Sequence, residues 1–152
     1  MKLQFLCLTL FLAAGTVAVN AYAQPDTSER LKGTWVIDYN GTLEYAQTSP
    51  KYTPKEAAVL PGQLKLLRGL MKIQVTDTQV ITHRGDRKQV VAYTTADADA
   101  DRVILKTEAR GQQVTLTFTF LPGGGMNMRS SATDDMDYFV WRKLRPPGDA
   151  GR

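Results

Sequence analysis

The sequence predicts an all-β domain carrying one short or kinked helix, with about eight strands in an antiparallel meander that curls into a barrel or half-barrel. The first ground for this is the pair of chain ends. Leu31-Lys32-Gly33-Thr34-Trp35-Val36-Ile37-Asp38 opens the folded part and Tyr138-Phe139-Val140-Trp141-Arg142-Lys143-Leu144 closes it, each reading as a strand that holds one of the chain's two tryptophans. A sheet whose first and last strands pair has no exposed edge left to protect, so ends of this kind favour closure. From Met71 onward, moreover, the chain is a series of short alternating runs divided by turn residues, and one amphipathic helix pattern lies between the first strand and that series.

The ends of the chain set the boundaries. Met1-Lys2 is followed by a mostly apolar run from Leu3 to Val19 and then by Ala21-Tyr22-Ala23 before Gln24. That is the layout of a secretory signal with an A-x-A cleavage site, so residues 1–23 read as a signal peptide and the product as periplasmic or secreted, with no membrane span after cleavage. The only cysteine, Cys7, falls near the start of the apolar run, which is not where a lipid-anchor cysteine stands. The remainder therefore offers no disulfide, thiol nucleophile or thiolate ligand. About 130 residues are left, enough for one domain with one core. Residues 24–30 are polar and read as a flexible segment, 31–145 as the barrel domain, and 146–152, without large apolar side chains, as a disordered tail.

Within the domain the first strand runs from Lys32 to Tyr39 and stops at Asn40-Gly41, a turn signal. The helix follows. Thr53-Pro54-Lys55-Glu56 combines an N-cap threonine, a proline at the first helical position and a glutamate three residues after the cap. Ala57, Leu60, Leu64, Leu67 and Met71 then make one apolar stripe, opposite Lys55, Lys65 and Arg68. Pro61-Gly62 falls inside it, so the segment is a kinked helix or two short helices joined by a turn. Packing on the sheet or plugging one barrel end is the expected role, and binding to a membrane surface the alternative.

Met71, Ile73 and Val75 alternate with Lys72, Gln74 and Thr76, and further strands are expected near 79–84, 89–95, 102–108, 112–121, 125–132 and 137–144. Val114, Leu116, Phe118 and Phe120 alternate with threonines at 115, 117 and 119, the pattern of a strand buried on one face.

Composition excludes several functions. The formal net charge is +4, and the basic residues lack the interleaved aromatics of a nucleic-acid surface. Asp97-Ala98-Asp99-Ala100-Asp101 has the alternate carboxylates of a calcium loop with Glu108 as twelfth ligand. Arg102, however, stands where a glycine is needed, and Val103 to Lys106 reads as strand, so a solvated hairpin tip is expected. Arg84-Gly85-Asp86 and Asn40-Gly41-Thr42 match adhesion and glycosylation patterns, and both read first as turns. The single histidine, His83, has no neighbouring nucleophile motif, and Asp134-Asp135 with Asp137 reads as a turn entering the last strand. No catalytic residue, metal site or cofactor is expected, and the chain reads as a non-enzyme.

Gly33-Thr34-Trp35 on the first strand, with a basic residue on the last, resembles the lipocalins and their relatives in the calycin superfamily. Nearly all of Leu31 to Leu144 resembles small secreted bacterial proteins of lipocalin-like type that have no assigned activity. The resemblance implies that Trp35 closes one end of the barrel with Arg142 packed over its indole, an arrangement that gains cation–π energy. Lys143, on the opposite face of the same strand, is the rival. The layout is also similar to the fatty-acid-binding proteins, but this chain offers fewer strands.

A barrel of about eight strands either fills with its own side chains or holds one small ligand. The leading expectation is an exported barrel that binds a small apolar or amphipathic molecule, with Ile37, Ile73, Tyr93, Leu116, Phe118 and Met128 as its wall. The alternative is a protein-interaction module, such as an inhibitor or immunity protein acting on an envelope enzyme through exposed loops. A hollow interior favours the first and a filled one the second.

Overall fold

The computed structural model describes residues 27–133 and 136–145; the expected signal peptide with Cys7, residues 24–26, Asp134-Asp135 and the expected tail 146–152 lie outside the described residues. The chain order is α1 (Thr27–Leu31), β1 (Gly33–Ile37), α2 (Tyr39–Gln47), α3 (Pro54–Leu67), then β2 (Met71–Val75), β3 (Gln79–Arg84), β4 (Arg87–Ala98), β5 (Arg102–Ala109), β6 (Gln112–Phe120), β7 (Gly125–Ser130) and β8 (Val140–Lys143). The eight strands form a closed barrel in sequence order, every neighbouring pair antiparallel, with β1 joined to β8. The meander and its closure are thus as the sequence predicts.

Alternation sets the inner face. Met71, Ile73 and Val75 are buried while Lys72 is exposed, and Val103, Leu105 and Thr107 of β5 sit opposite Phe118, Leu116 and Val114 of β6. Met71, Ile73, Val75, Val103, Leu105 and Phe118 join Trp35, Met126, Trp141 and the α3 residues Leu60 and Leu64 in one core, with Leu116 packed against it. Its burial is the main favourable term in the fold.

Three segments differ from the sequence expectation. Residues 27–31, expected to be mostly flexible, form a helix whose Thr27 and Leu31 are buried, because Leu31 packs into the barrel end beneath it. Asn40-Gly41, expected as a turn, lies inside α2. Asp38 caps that helix by accepting the Gly41 N–H at 3.2 Å, and the next strand in sequence is too far along the chain for a tight hairpin to form. Glycine fits closely there: a Cβ would come within 3.2 Å of both the Asp38 carboxylate and a Val140 methyl, and those neighbours would have to give way. Finally, Pro61 leaves α3 as one continuous helix of 14 residues, held at its start by the expected capping box between Thr53 and Glu56.

Helix α2 completes the ladder where β1 runs out. Beyond the Ile37–Trp141 pair, Val140 N–H donates to Thr42 Oγ1 at 3.0 Å, and the Val140 carbonyl accepts from Asp38 N–H at 2.8 Å and from the Thr42 hydroxyl at 3.3 Å. A buried hydroxyl thereby stands in for a strand backbone. The last strand is shorter than expected because the chain before it is held by Asn127, whose side-chain amide donates to the carbonyls of Asp137 and Phe139 at 2.7 and 3.1 Å.

Candidate functional site

The best-defined local construction is the barrel end beside α1. Trp35 is 2% exposed, its indole N–H donates to the Leu31 carbonyl at 2.8 Å, and its ring meets Phe120 at 6.2 Å with an interplanar angle of 46°. Two cations cover the pair. The Arg30 guanidinium lies 4.2 Å from the Phe120 centroid, and Lys143 Nζ lies 5.6 Å from the Trp35 ring and donates to the Arg30 carbonyl at 3.0 Å. Burial first, and then the Arg30 charge, lower Lys143 from the ordinary lysine value, so the cation is held there against some desolvation cost.

The cation over the indole is Lys143, and the assignment of Arg142 to that place is corrected. Trp35 is directly opposite Lys143 in the β1–β8 ladder, whereas Arg142 is opposite Val36, and side chains in register share a face. Trp141, two residues before Lys143 and fully buried, marks the same inner face. Arg142 is exposed on the outside. The glycine of Gly33-Thr34-Trp35 also gains a cause: its φ is +122°, and a Cβ at that position would lie 2.8 Å from the Lys143 Cε. The backbone can turn into β1 under the lysine only without a side chain.

Beside this cap, Lys32 pairs with Asp77 and Glu29, which together raise it above the ordinary lysine value. Tyr93 donates to the Thr76 carbonyl at 2.7 Å, and burial raises its phenol.

The barrel interior brings together the expected wall residues, and it is packed. Ile73 and Phe118 have no surface that a water molecule can reach, Ile37 is 6% and Met128 9% exposed, and Tyr93 and Leu116 are half-buried against the same cluster. Side chains at 0% exposure border no water-sized void, so these positions are filled by their neighbours. One polar atom is orphaned within the core: the Trp141 Nε1–H has no partner among the described residues. Most buried donors are satisfied, so this one stands out from the rest of the core.

Clefts lie outside the barrel. The roomier one, about 710 Å³, runs between α2 (Glu44, Tyr45) with its cap Asp38 and the 121–125 turn. Another of about 280 Å³ is bordered by Tyr45, Lys51, Arg129 and Asp137, where Lys51 and Asp137 are ion-paired at 3.2 Å. The carboxylates Asp97 and Asp99 pair with Arg102 at 3.5 and 3.0 Å. Among the described residues no group of three or more His, Cys, Asp or Glu side chains is placed to hold a metal ion. His83 is on β3 between Lys72 and Lys88.

What these features define is a closed, eight-stranded antiparallel meander barrel with a capped end and a packed core, an architecture consistent with a lipocalin-like fold. Compared with protein-family models, with curated proteins and with solved structures, the chain finds no match. Among the described residues no helix is long and apolar enough to cross a membrane.

Proposed function

We propose that this protein is an exported, non-enzymatic barrel that works through its outer surface as a protein-recognition module, of the kind that inhibits or neutralises an enzyme of the cell envelope. The observation that carries this reading is the packed interior: Ile73 and Phe118, the centre of the expected ligand wall, are wholly inaccessible. A rigid scaffold that presents loops and a groove is suited to recognition. The α2 groove with Glu44 and Tyr45 is the favoured contact site. Kinship with the calycin superfamily is part of the proposal, supported by the closed barrel and by a last-strand cation over the Gly-x-Trp indole.

The test has two arms. Titration with a fluorescent fatty-acid analogue, with haem and with aromatic probes is expected to show no saturable binding; dissociation constants near or below about 1 μM overturn the reading. Capture from envelope extract is expected to retain one partner on the wild-type protein and to lose it on Glu44→Arg.

A second reading rests on the orphaned Trp141 N–H. A small ligand with an acceptor atom would satisfy that donor if it displaced neighbouring core side chains. Trp141→Phe is the discriminating variant, since it removes the donor and leaves the α2 groove intact.

A further inference from the structure

We propose that the face formed by the end of α3 and the outer side of β2, β3 and β4 docks this protein on an anionic phospholipid bilayer. It uses residues apart from the α2 groove and holds whether or not a protein partner exists.

Helix α3 is apolar on two sides. Leu60 and Leu64 enter the core, while Val59 and Leu66 face away from it at 47% and 73% exposure, and Leu70, just beyond the helix, is 51% exposed. Nothing among the described residues covers this second stripe. The end of α3 is tied to the β3–β4 turn, where Gly85 N–H donates to the Leu70 carbonyl at 2.8 Å. That bond sets Leu70 beside the turn that joins Arg84 to its cross-strand partner Arg87; Arg84 is in register with the buried Met71, so this arginine pair belongs to the other face of the sheet from Lys72.

The adjoining sheet surface is basic. Lys72, His83 and Lys88 stand opposite one another across β2, β3 and β4, and the next row outward is Gln74, Ile81 and Val90, with Val90 exposed. Like charges placed opposite in a ladder weaken the sheet. Among the described residues neither Lys72 nor Lys88 pairs with a carboxylate. Lys65 and Arg68 at the end of α3 are exposed as well, and Asp86 in the β3–β4 turn is an opposing charge.

Exposed aliphatic side chains beside unpaired lysines match an interfacial binding surface, which gains from apolar insertion and from anionic headgroups together. A protein partner fits less well. Protein interfaces are enriched in Tyr, Trp and Phe and depleted in lysine, and the residues that form this face include none of those three.

The test is flotation of the protein, as it accumulates in the cell, with vesicles of pure phosphatidylcholine and of phosphatidylcholine mixed with phosphatidylglycerol, at low and high salt. Binding is expected on the anionic vesicles only, weakened by salt. Each cation removed is expected to lower the partition coefficient about fivefold, so Lys72→Gln with Lys88→Gln together lower it about 25-fold. Leu66→Ser with Leu70→Ser is expected to lower it by about tenfold or more. All four sites are exposed, so near-ultraviolet circular dichroism is expected to stay unchanged in both pairs. Equal binding to both vesicle types, or binding untouched by either pair, shows that another segment is responsible and overturns the proposal. Absence of vesicle binding, with retention on a soluble acidic polypeptide instead, also overturns it and assigns the face to a protein.

Discussion

Replacing Trp35 by alanine tests the closure of the barrel at its most concentrated point. The side chain is 2% exposed among Leu31, Phe120 and Lys143, and truncating a buried tryptophan costs about 3–5 kcal/mol through lost burial and the void left behind. Within that figure the indole bond to Leu31 contributes about 1 kcal/mol and the contact with Phe120 about 0.5–1.5 kcal/mol. Trp35→Phe separates the parts: it keeps a ring but strands the Leu31 carbonyl, for an expected cost of about 1–3 kcal/mol. Urea unfolding followed through Trp141 fluorescence is the assay, because Trp141 is fully buried and remains in both variants. With a denaturant slope of about 1–3 kcal/mol per molar, Trp35→Ala is expected to lower the midpoint by about 2 M. A shift below about 0.5 M, or a Trp35→Phe variant as unstable as Trp35→Ala, refutes the description of Trp35 as a packed and hydrogen-bonded cap.

Further outcomes follow from the same geometry. Lys143→Met is expected to cost about 1 kcal/mol because the cation over the Trp35 ring is lost, whereas Arg142→Ala stays within about 0.5 kcal/mol; equal costs in urea unfolding contradict the pairing of Trp35 with Lys143 across β1 and β8. Thr42→Val leaves the Val140 N–H without its acceptor in a buried site, for about 2–3 kcal/mol, and Thr42→Ser recovers most of it in the same assay. Glu56 accepts from the Thr53 backbone N–H, which lowers its carboxyl below the ordinary value of 4.5. Its contribution is therefore present above pH 4.5 and lost as pH falls through the lower folded value; Glu56→Gln is expected to flatten the acid limb of a stability–pH curve, and an unchanged limb speaks against the capping box. Trp141→Phe is expected to destabilise less than Trp35→Phe, since its indole N–H has no partner to lose, and a calorimetric melting temperature for each variant decides it.

The class of fold, the number of strands and the inward set of side chains are legible in the order of residues alone. Alternation such as Val114, Leu116, Phe118 and Phe120 is a direct reading of strand geometry, in which successive side chains point to opposite faces. The capping box at Thr53 and Glu56 is equally legible, because a cap is a contact between residues three apart. That the first and last strands pair is legible from the two ends, but the side chains that meet across distant segments had to wait for the folded chain. Lys143 lies on Trp35 because β8 is in one register with β1; the shared parity of Trp141 and Lys143 is a usable signal, but parity becomes a face only when a partner strand fixes it. Helix α2 exists where the sequence shows a turn because Thr42 finds its partner 98 residues away, and α1 is ordered by the barrel end that Leu31 covers. The packed interior is likewise a tertiary property, since whether eight strands enclose space or fill it depends on how side chains from every strand interlock.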